Sequence, residues 1–302
     1  MVRYRDEWRK DISVSIMQPG CVNVDIRDCI TSMHIYRSSL ELPIMYETET
    51  LLDSHSNTKI ADKHGFHIDL WLISANAAVA LQSLAQVLSV GDWHLINLRK
   101  IASERNSAIA SQVCLRFALS SLVRWKNAPA AWKFSRTAFG RPFVEHGPNI
   151  YFSLTHSGTL NAIALSRTYP VGIDVETAAS DPCVDLMEDY LSSTERNIVR
   201  CLPSDSRESE FLRIWTLKEA FAKATGLGLS MKFSEIDVSS VVAGRASACI
   251  ICGRQTVLLT SHICHLGLAG DGWLSLAADV SERPSSVCLN IYFLDAASLE
   301  GR

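Results

Sequence analysis

Two short stretches of this chain restrict its fold more than anything else in it. In Val171-Gly172-Ile173-Asp174-Val175-Glu176 the apolar residues and the carboxylates alternate, as they do on a strand, so Asp174 and Glu176 share one face. In Ile214 to Leu229 the spacing is helical, Glu219 and Lys223 fall one turn apart, and Gly226 and Gly228 close the run. A strand carrying two carboxylates beside a helix carrying a third predicts a mixed α and β fold with an acidic site. Such a set, with lysines next to it, suits a hard cation such as magnesium meeting the phosphates of a substrate.

Further words precede these two. The chain reads Phe139-Gly140-Arg141-Pro142, then Phe152-Ser153-Leu154-Thr155-His156-Ser157-Gly158, then Gly172 to Glu176, then Trp215-Thr216-Leu217-Lys218-Glu219-Ala220 with Lys223 and Gly226-x-Gly228-Leu229. Each is weak alone, but their order over about ninety residues is specific. In this the chain resembles the 4'-phosphopantetheinyl transferases, which move phosphopantetheine from coenzyme A to a serine of a carrier protein. The Trp-x-x-Lys-Glu-Ala form resembles the larger, monomeric class that serves polyketide, nonribosomal peptide and often fatty-acid synthases.

The resemblance implies an α+β fold of two pseudo-twofold-related α/β halves with the active site between them. Residues 65–170 and 171–302 are the expected halves, and residues 1–64, where no family word appears, form an extension. Along the chain, Phe66 to Ile73 alternates as a strand, Ala77 to Leu88 is spaced as a helix, and Ile101 to Trp125 reads as a long helix with Ile109, Val113, Phe117 and Leu122 on one side. Ile150 to Leu154 and Asn161 to Leu165 read as paired strands with Thr155 to Gly158 turning between them, which puts His156 at a loop tip. A helix is expected near Thr194-Glu195-Arg196, with strands after the Lys218-Glu219 helix.

Composition narrows the setting. With 47% hydrophobic residues the 302-residue chain can bury a sizeable core, and no apolar run approaches the roughly 18 residues that span a bilayer. The charged N-terminus lacks a secretory segment, and nine scattered cysteines do not read as a disulfide framework, so the expectation is a cytoplasmic protein. A net charge of -3 gives no general attraction to nucleic acid, and any anion site must be a local basic cluster. The expected partners are coenzyme A and an apo acyl or peptidyl carrier protein, with no membrane, and the class is monomeric.

The family's roles carry over residue by residue. Asp174, Glu176 and Glu219 form the expected magnesium set. Glu219 is also the candidate to take the serine proton, directly or by way of a water on the metal. Lys223, on Glu219's side of the helix, faces charge developing on the transferred phosphate, and Lys218 points elsewhere, to a phosphate or the carrier serine. Arg141 stands where the family has lysine in Gly-Lys-Pro, and its planar fork suits the nucleotide 3'-phosphate, with His156 beside it and Thr155 in the same turn. Arg105 and Arg116 on the long helix match basic residues that help hold coenzyme A, whereas Gln112 stands where another arginine is common.

Other readings compete. A non-catalytic homologue would bind coenzyme A or a carrier without transfer, which an intact Asp174, Glu176, Glu219 and Lys223 argue against. Cys249-x-x-Cys252 with His262-x-Cys264-His265 offers a zinc module, although in this β-branched stretch the cysteines also read as ordinary buried residues. His64-x-x-His67 is a weaker metal pair. Glycines that follow a helix, as Gly226 and Gly228 do, do not read as a phosphate loop.

Overall fold

Serines that cap helices and a glycine that lets a helix touch a strand organise the chain. The computed structural model describes residues 33–43, 66–124, 126–158, 160–177, 188–242, 248–251, 255–265, 271–280 and 286–296. In order they form β1 (Met33–Pro43), β2 (Phe66–Ile73), α1 (Ala75–Leu81), α2 (Val90–Asn97), α3 (Ala102–Leu122), β3 (Phe134–Arg136), β4 (Pro142–Val144), β5 (Tyr151–Ser157), β6 (Leu160–Ser166), β7 (Val171–Thr177), α4 (Ser193–Cys201), α5 (Ser204–Thr225), α6 (Ser239–Val242), β8 (Ala248–Ile251), β9 (Gln255–His265), β10 (Asp271–Val280) and β11 (Ser286–Ala296). Mixed helix and sheet is therefore the class. Apart from β1, the stretch 1–64 lies outside the described residues, and with it the loop expected at Asp53 to Thr58 and the His64 member of the weak metal pair. No helix among the described residues is long and apolar enough to cross a membrane.

The described residues gather into two compact units, one holding Asp69–Trp132 with parts of β1 and β11, the other holding Lys133–Cys288. In the first, Ser74 caps α1 by accepting the Ala77 N–H at 3.2 Å, and its own N–H donates to the Leu294 carbonyl of β11 at 3.0 Å. Tyr292 of β11 stacks on Trp71 of β2, ring centroids 4.3 Å apart, and Asn290 donates to Asp69 at 2.8 Å. The segment expected as one helix from Ala77 to Leu88 divides: α1 ends at Leu81 and a 3-10 turn continues over Gln82–Val87. Ser89 and Asp92 then form a capping box that starts α2.

The long helix is α3, but its buried face is not the one expected. Ala110, Val113, Cys114, Leu115, Ala118 and Leu119 are buried, while Ile109, Phe117 and Leu122 are half-exposed. Val113 of the expected row is buried, but burial continues onto Leu115 and Leu119 rather than onto Phe117 and Leu122. Complete burial pushes the Cys114 thiol up to about 12.

In the second unit β7, β10, β9 and β8 form an antiparallel sheet in that order, with Asp174 opposite Ser275 and Glu176 opposite Trp273. The β5–β6 hairpin pairs Tyr151 with Ser166 through to Ser157 with Leu160. β5 therefore runs on through Thr155, His156 and Ser157, and the chain reverses only from Gly158, whose φ of 54° favours glycine. The loop expected at Thr155 is strand because hydroxyls of its residues continue to find partners on β7.

Helix α5 lies across β7 and β10. Its buried side, Phe211, Leu212, Ile214, Leu217, Ala220, Phe221 and Ala224, joins Val199 of α4, Phe233 and Val238 in one apolar cluster. Gly226 ends it in the left-handed conformation, φ 75°, as the glycine reading predicts. A capping box between Ser192 and Glu195 starts α4, close to the expected Thr194.

Candidate active site

β7 supplies two of the three carboxylates. Asp174 is buried and Glu176 half-buried, two residues apart on the strand face that the alternation predicts. Thr155 Oγ1 of β5 donates to Asp174 Oδ1 at 2.9 Å, and Ser157 Oγ donates to Glu176 Oε2 at 3.1 Å. α5 supplies the rest, because Gly172 allows the helix to touch the strand. A Cβ at position 172 would stand 1.9 Å from the Ala220 carbonyl oxygen and 2.5 Å from the Ala224 nitrogen, closer than any side chain permits. At that contact Lys223 reaches β7, donating to Asp174 Oδ1 at 2.6 Å and to the Ile173 carbonyl at 3.0 Å.

The electrostatics show the three acids sharing one field. Burial, then Asp174, pushes the Glu176 carboxyl up to about 7; Ser157 and Lys223 pull it down, and Glu219 pushes it up again. Glu219 is likewise raised, by burial first and by Asp174 next, against the pull of Lys223. One lysine among three carboxylates leaves negative charge in a partly dry place, where a divalent cation is favoured.

Among the described residues no three acids, histidines or cysteines are gathered tightly enough to hold a metal as they stand. The donor set nonetheless fits one. Asp174 Oδ2 is buried and has no hydrogen-bond partner, which is costly for a carboxylate oxygen unless something positive meets it. Hard carboxylate oxygens with room for substrate oxygens and waters suit magnesium, and Asp174, Glu176 and Glu219 are the residues that could hold it.

Arg141 lies at the C-terminal end of α5. Its Nη1 donates to the Ala224 carbonyl at 2.9 Å, Nη2 is buried without a partner, and the guanidinium stands over the Tyr151 ring at 5.7 Å. His156 is an exposed strand residue paired with Asn161, not a loop tip. The Thr155 hydroxyl is buried and occupied within the unit, donating to Asp174 and accepting the Val175 N–H at 3.4 Å, so it faces the acids where a nucleotide contact was expected.

Three expected site residues are engaged elsewhere. Lys218 is 1% exposed and spends its three protons on Glu195 Oε2 at 2.5 Å, Phe233 O at 2.8 Å and Tyr190 O at 2.9 Å, which leaves none for a phosphate or a serine. It turns away from Glu219 because adjacent residues on a helix point about 100° apart. In the other unit, Arg116 is buried in an ion pair with Asp92 and donates to the Trp132 carbonyl at 2.6 Å, so it clamps α3 where it was expected to hold coenzyme A. Arg105 folds back onto the carbonyls of Arg99 and Lys100 at 2.8 and 2.9 Å, ahead of α3.

The zinc reading loses its geometry. Cys249 stands opposite Val257, whereas His262 and Cys264 stand opposite Leu274 and Gly272 on the other edge of β9. Five residues of extended chain, about 17 Å, separate the Val257 rung from His262. Cys252 lies outside the described residues. What sequence reasoning missed was Glu195, Ser153 and Ser157. The Ser-x-x-Glu capping box and the alternation Ser153-x-Thr155-x-Ser157 were the signals available.

Comparisons with known proteins bear on the same segment. The family model described as the 4'-phosphopantetheinyl transferase superfamily matches residues 170–273, which include β7 and α5. The 4'-phosphopantetheinyl transferase HetI of Nostoc sp. is 30% identical over 179 residues, covering 57% of this chain and 73% of HetI. The 4'-phosphopantetheinyl transferase Sfp of Bacillus subtilis is 28% identical over 115 residues, covering 38% of this chain and 50% of Sfp. A 4'-phosphopantetheinyl transferase, pptA of Paxillus involutus, is 31% identical over 123 residues, with 47% of that protein covered. This chain thus spans most of HetI and about half of the other two. With the acids of β7 and the Lys-Glu pair of α5 inside the matched segment, the chain belongs to the 4'-phosphopantetheinyl transferase superfamily of enzymes, in its larger, Sfp-like class.

Proposed function

We propose that the protein transfers 4'-phosphopantetheine from coenzyme A to a serine of an apo acyl or peptidyl carrier protein, releasing 3',5'-adenosine bisphosphate, with magnesium. The observation that carries this reading is the electrostatic field that Asp174, Glu176, Glu219 and Lys223 share, in which burial and mutual repulsion push Glu176 up to about 7, with Asp174 Oδ2 left without a partner. Magnesium bound there would neutralise the pyrophosphate of coenzyme A.

Glu219, which burial and Asp174 raise from its ordinary value, is the group to take the serine proton, directly or by way of a water. As the serine oxygen forms its bond to the phosphorus that carries pantetheine, the bond from that phosphorus to the bridging oxygen of the nucleotide breaks, and the electron pair leaves with 3',5'-adenosine bisphosphate. Lys223, held by Asp174 and the Ile173 carbonyl, keeps a positive charge beside the acids, where negative charge builds on the phosphoryl oxygens. Arg141 Nη2, buried and unpartnered, is the donor available to a nucleotide phosphate, and His156 is exposed on the neighbouring strand. Lys218, Arg116, Thr155 and Arg105 act through the fold.

The division into residues 1–64, 65–170 and 171–302, the monomeric state and service to polyketide or nonribosomal peptide synthases belong to this reading on the family relationship, and the cytoplasmic setting on the charged N-terminus and the scattered cysteines. The test is the intact mass of an apo carrier protein after incubation with this protein, coenzyme A and magnesium, beside Glu219→Ala and EDTA controls. The reading expects a gain of one phosphopantetheine in the complete reaction only. Unmodified carriers from several unrelated synthases, in the presence of folded protein, overturn it.

A further inference from the structure

Between β5 and β7 the ladder is made of side chains. Ser153, Thr155 and Ser157 alternate along β5, and their hydroxyl oxygens accept the N–H groups of Ile173 at 3.2 Å, Val175 at 3.4 Å and Thr177 at 3.2 Å. The β7 edge away from β10 is thereby supplied with acceptors. A hydroxyl that accepts there still has one proton to give. Thr155 gives it to Asp174 Oδ1 and Ser157 to Glu176 Oε2, each the residue just before the N–H it accepts. At the Ser153 rung that preceding residue is Gly172, which has no side chain to orient. Ser157 Oγ also lies 3.4 Å from Thr177 Oγ1, longer than its 3.1 Å contact with Glu176.

One oxygen of each acid is in this way tied to β5. We propose that Thr155 and Ser157 are positioning residues which, by holding Asp174 Oδ1 and Glu176 Oε2, aim the second oxygen of each carboxylate at a divalent cation. The inference rests on the reading of Asp174, Glu176 and Glu219 as the cation's ligands. Asp174 Oδ2, buried and unpartnered, is the atom so presented, and a carboxylate already fixed loses less freedom when the cation binds. Ser153 has the same duty towards the backbone and none towards an acid, so it separates the two roles.

The experiment is manganese binding by the full chain, followed by electron paramagnetic resonance with magnesium as competitor, alongside urea unfolding. The variants are S153A, S157A, T155V and S157T. All three hydroxyl deletions are expected to lower stability comparably, since each strands one β7 N–H. S153A is expected to bind manganese as the wild type does, S157A and T155V about tenfold or more weakly, and S157T to restore most of the affinity. Equal affinity in S153A, S157A and T155V overturns the proposal. So does failure of S157A and T155V to fold where S153A folds, because the hydroxyls are then requirements of the fold. A wild-type chain that binds no manganese removes the metal reading itself, and the proposal falls with it; that result is distinguishable because it appears before any substitution is made.

Discussion

Lys218 Nζ stands 2.5 Å from Glu195 Oε2, with the two side chains 1% and 0% exposed. The pair is a junction. Glu195 also accepts the Ser192 N–H at 2.7 Å and the Val238 N–H at 2.8 Å, so it ties the start of α4 and the segment before α6 to α5, one residue from Glu219. Burial lowers Lys218 from its ordinary value while Glu195 raises it. Removing one member strands a charge in the interior, so K218M is expected to cost about 3–5 kcal/mol in urea unfolding. E195Q/K218M, which removes both charges and keeps an acceptor for the backbone, is expected to be more stable than K218M. A double variant less stable than the single one would show that the charge left on Glu195 is not what costs the stability.

Gly172 is the contact on which the geometry of the acids depends. In G172A the new methyl group would meet the Ala220 carbonyl, a backbone atom that cannot turn aside, so α5 must lift from β7. The expected loss is at least about 1–3 kcal/mol of stability. Transfer should fall by more than the unfolded fraction explains, because Lys223 and Glu219 move with the helix. Steady-state rates corrected for folded protein check this; rates that follow the folded fraction alone would contradict it.

The Cys114 thiol makes stability fall at high pH. In the unfolded chain it ionises near 9.0, and in the fold it stays protonated to about 12. The unfolded chain therefore releases its proton first: the contribution is complete below pH 9 and is lost as pH rises from there towards 12. Relative to C114A, wild-type stability is expected to decline above pH 9 with a slope approaching about 1.4 kcal/mol per pH unit. Urea midpoints at several pH values measure it, and parallel curves for the two proteins would exclude it.

Two arginines that look alike in the sequence are expected to separate in kinetics. R116M strands Asp92 and removes the donor to two backbone carbonyls, those of Pro129 and Trp132, so it should lower the unfolding midpoint and leave the KM for coenzyme A within about twofold. R141M removes a donor to the nucleotide in the proposed reading and should raise that KM about tenfold or more. A raised KM in folded R116M, or none in R141M, would reverse the assignment.

Much of this was legible in the chain. Asp-x-Glu between apolar residues reads as a strand with both acids on one face, and the Gly226 stop after a helical run marks where α5 ends. The strand at Phe66 to Ile73 followed from alternation in the same way, and that at Asn161 to Leu165 from a short apolar run that reads as buried. The buried face of α3 followed only in part: Val113 is buried as expected, whereas Leu115 and Leu119 are buried in place of Phe117 and Leu122, a choice made by what packs against the helix.

Local pattern thus determined which elements form, which acids share a face and, through the order of its motifs, the family resemblance. It could not determine where long cations go. Lys218, Lys223, Arg116 and Arg141 all carry charges on flexible stems, and each stem reaches many positions from one Cα. Their partners, Glu195, Asp174, Asp92 and the Ala224 carbonyl, lie 23, 49, 24 and 83 residues away. Folding selects among those partners by the cost of leaving a buried charge unpaired, a quantity that exists only once the segments are packed together. For that reason tertiary structure, and not residue type, separates Lys223, which faces the acids, from Lys218, which holds the helix.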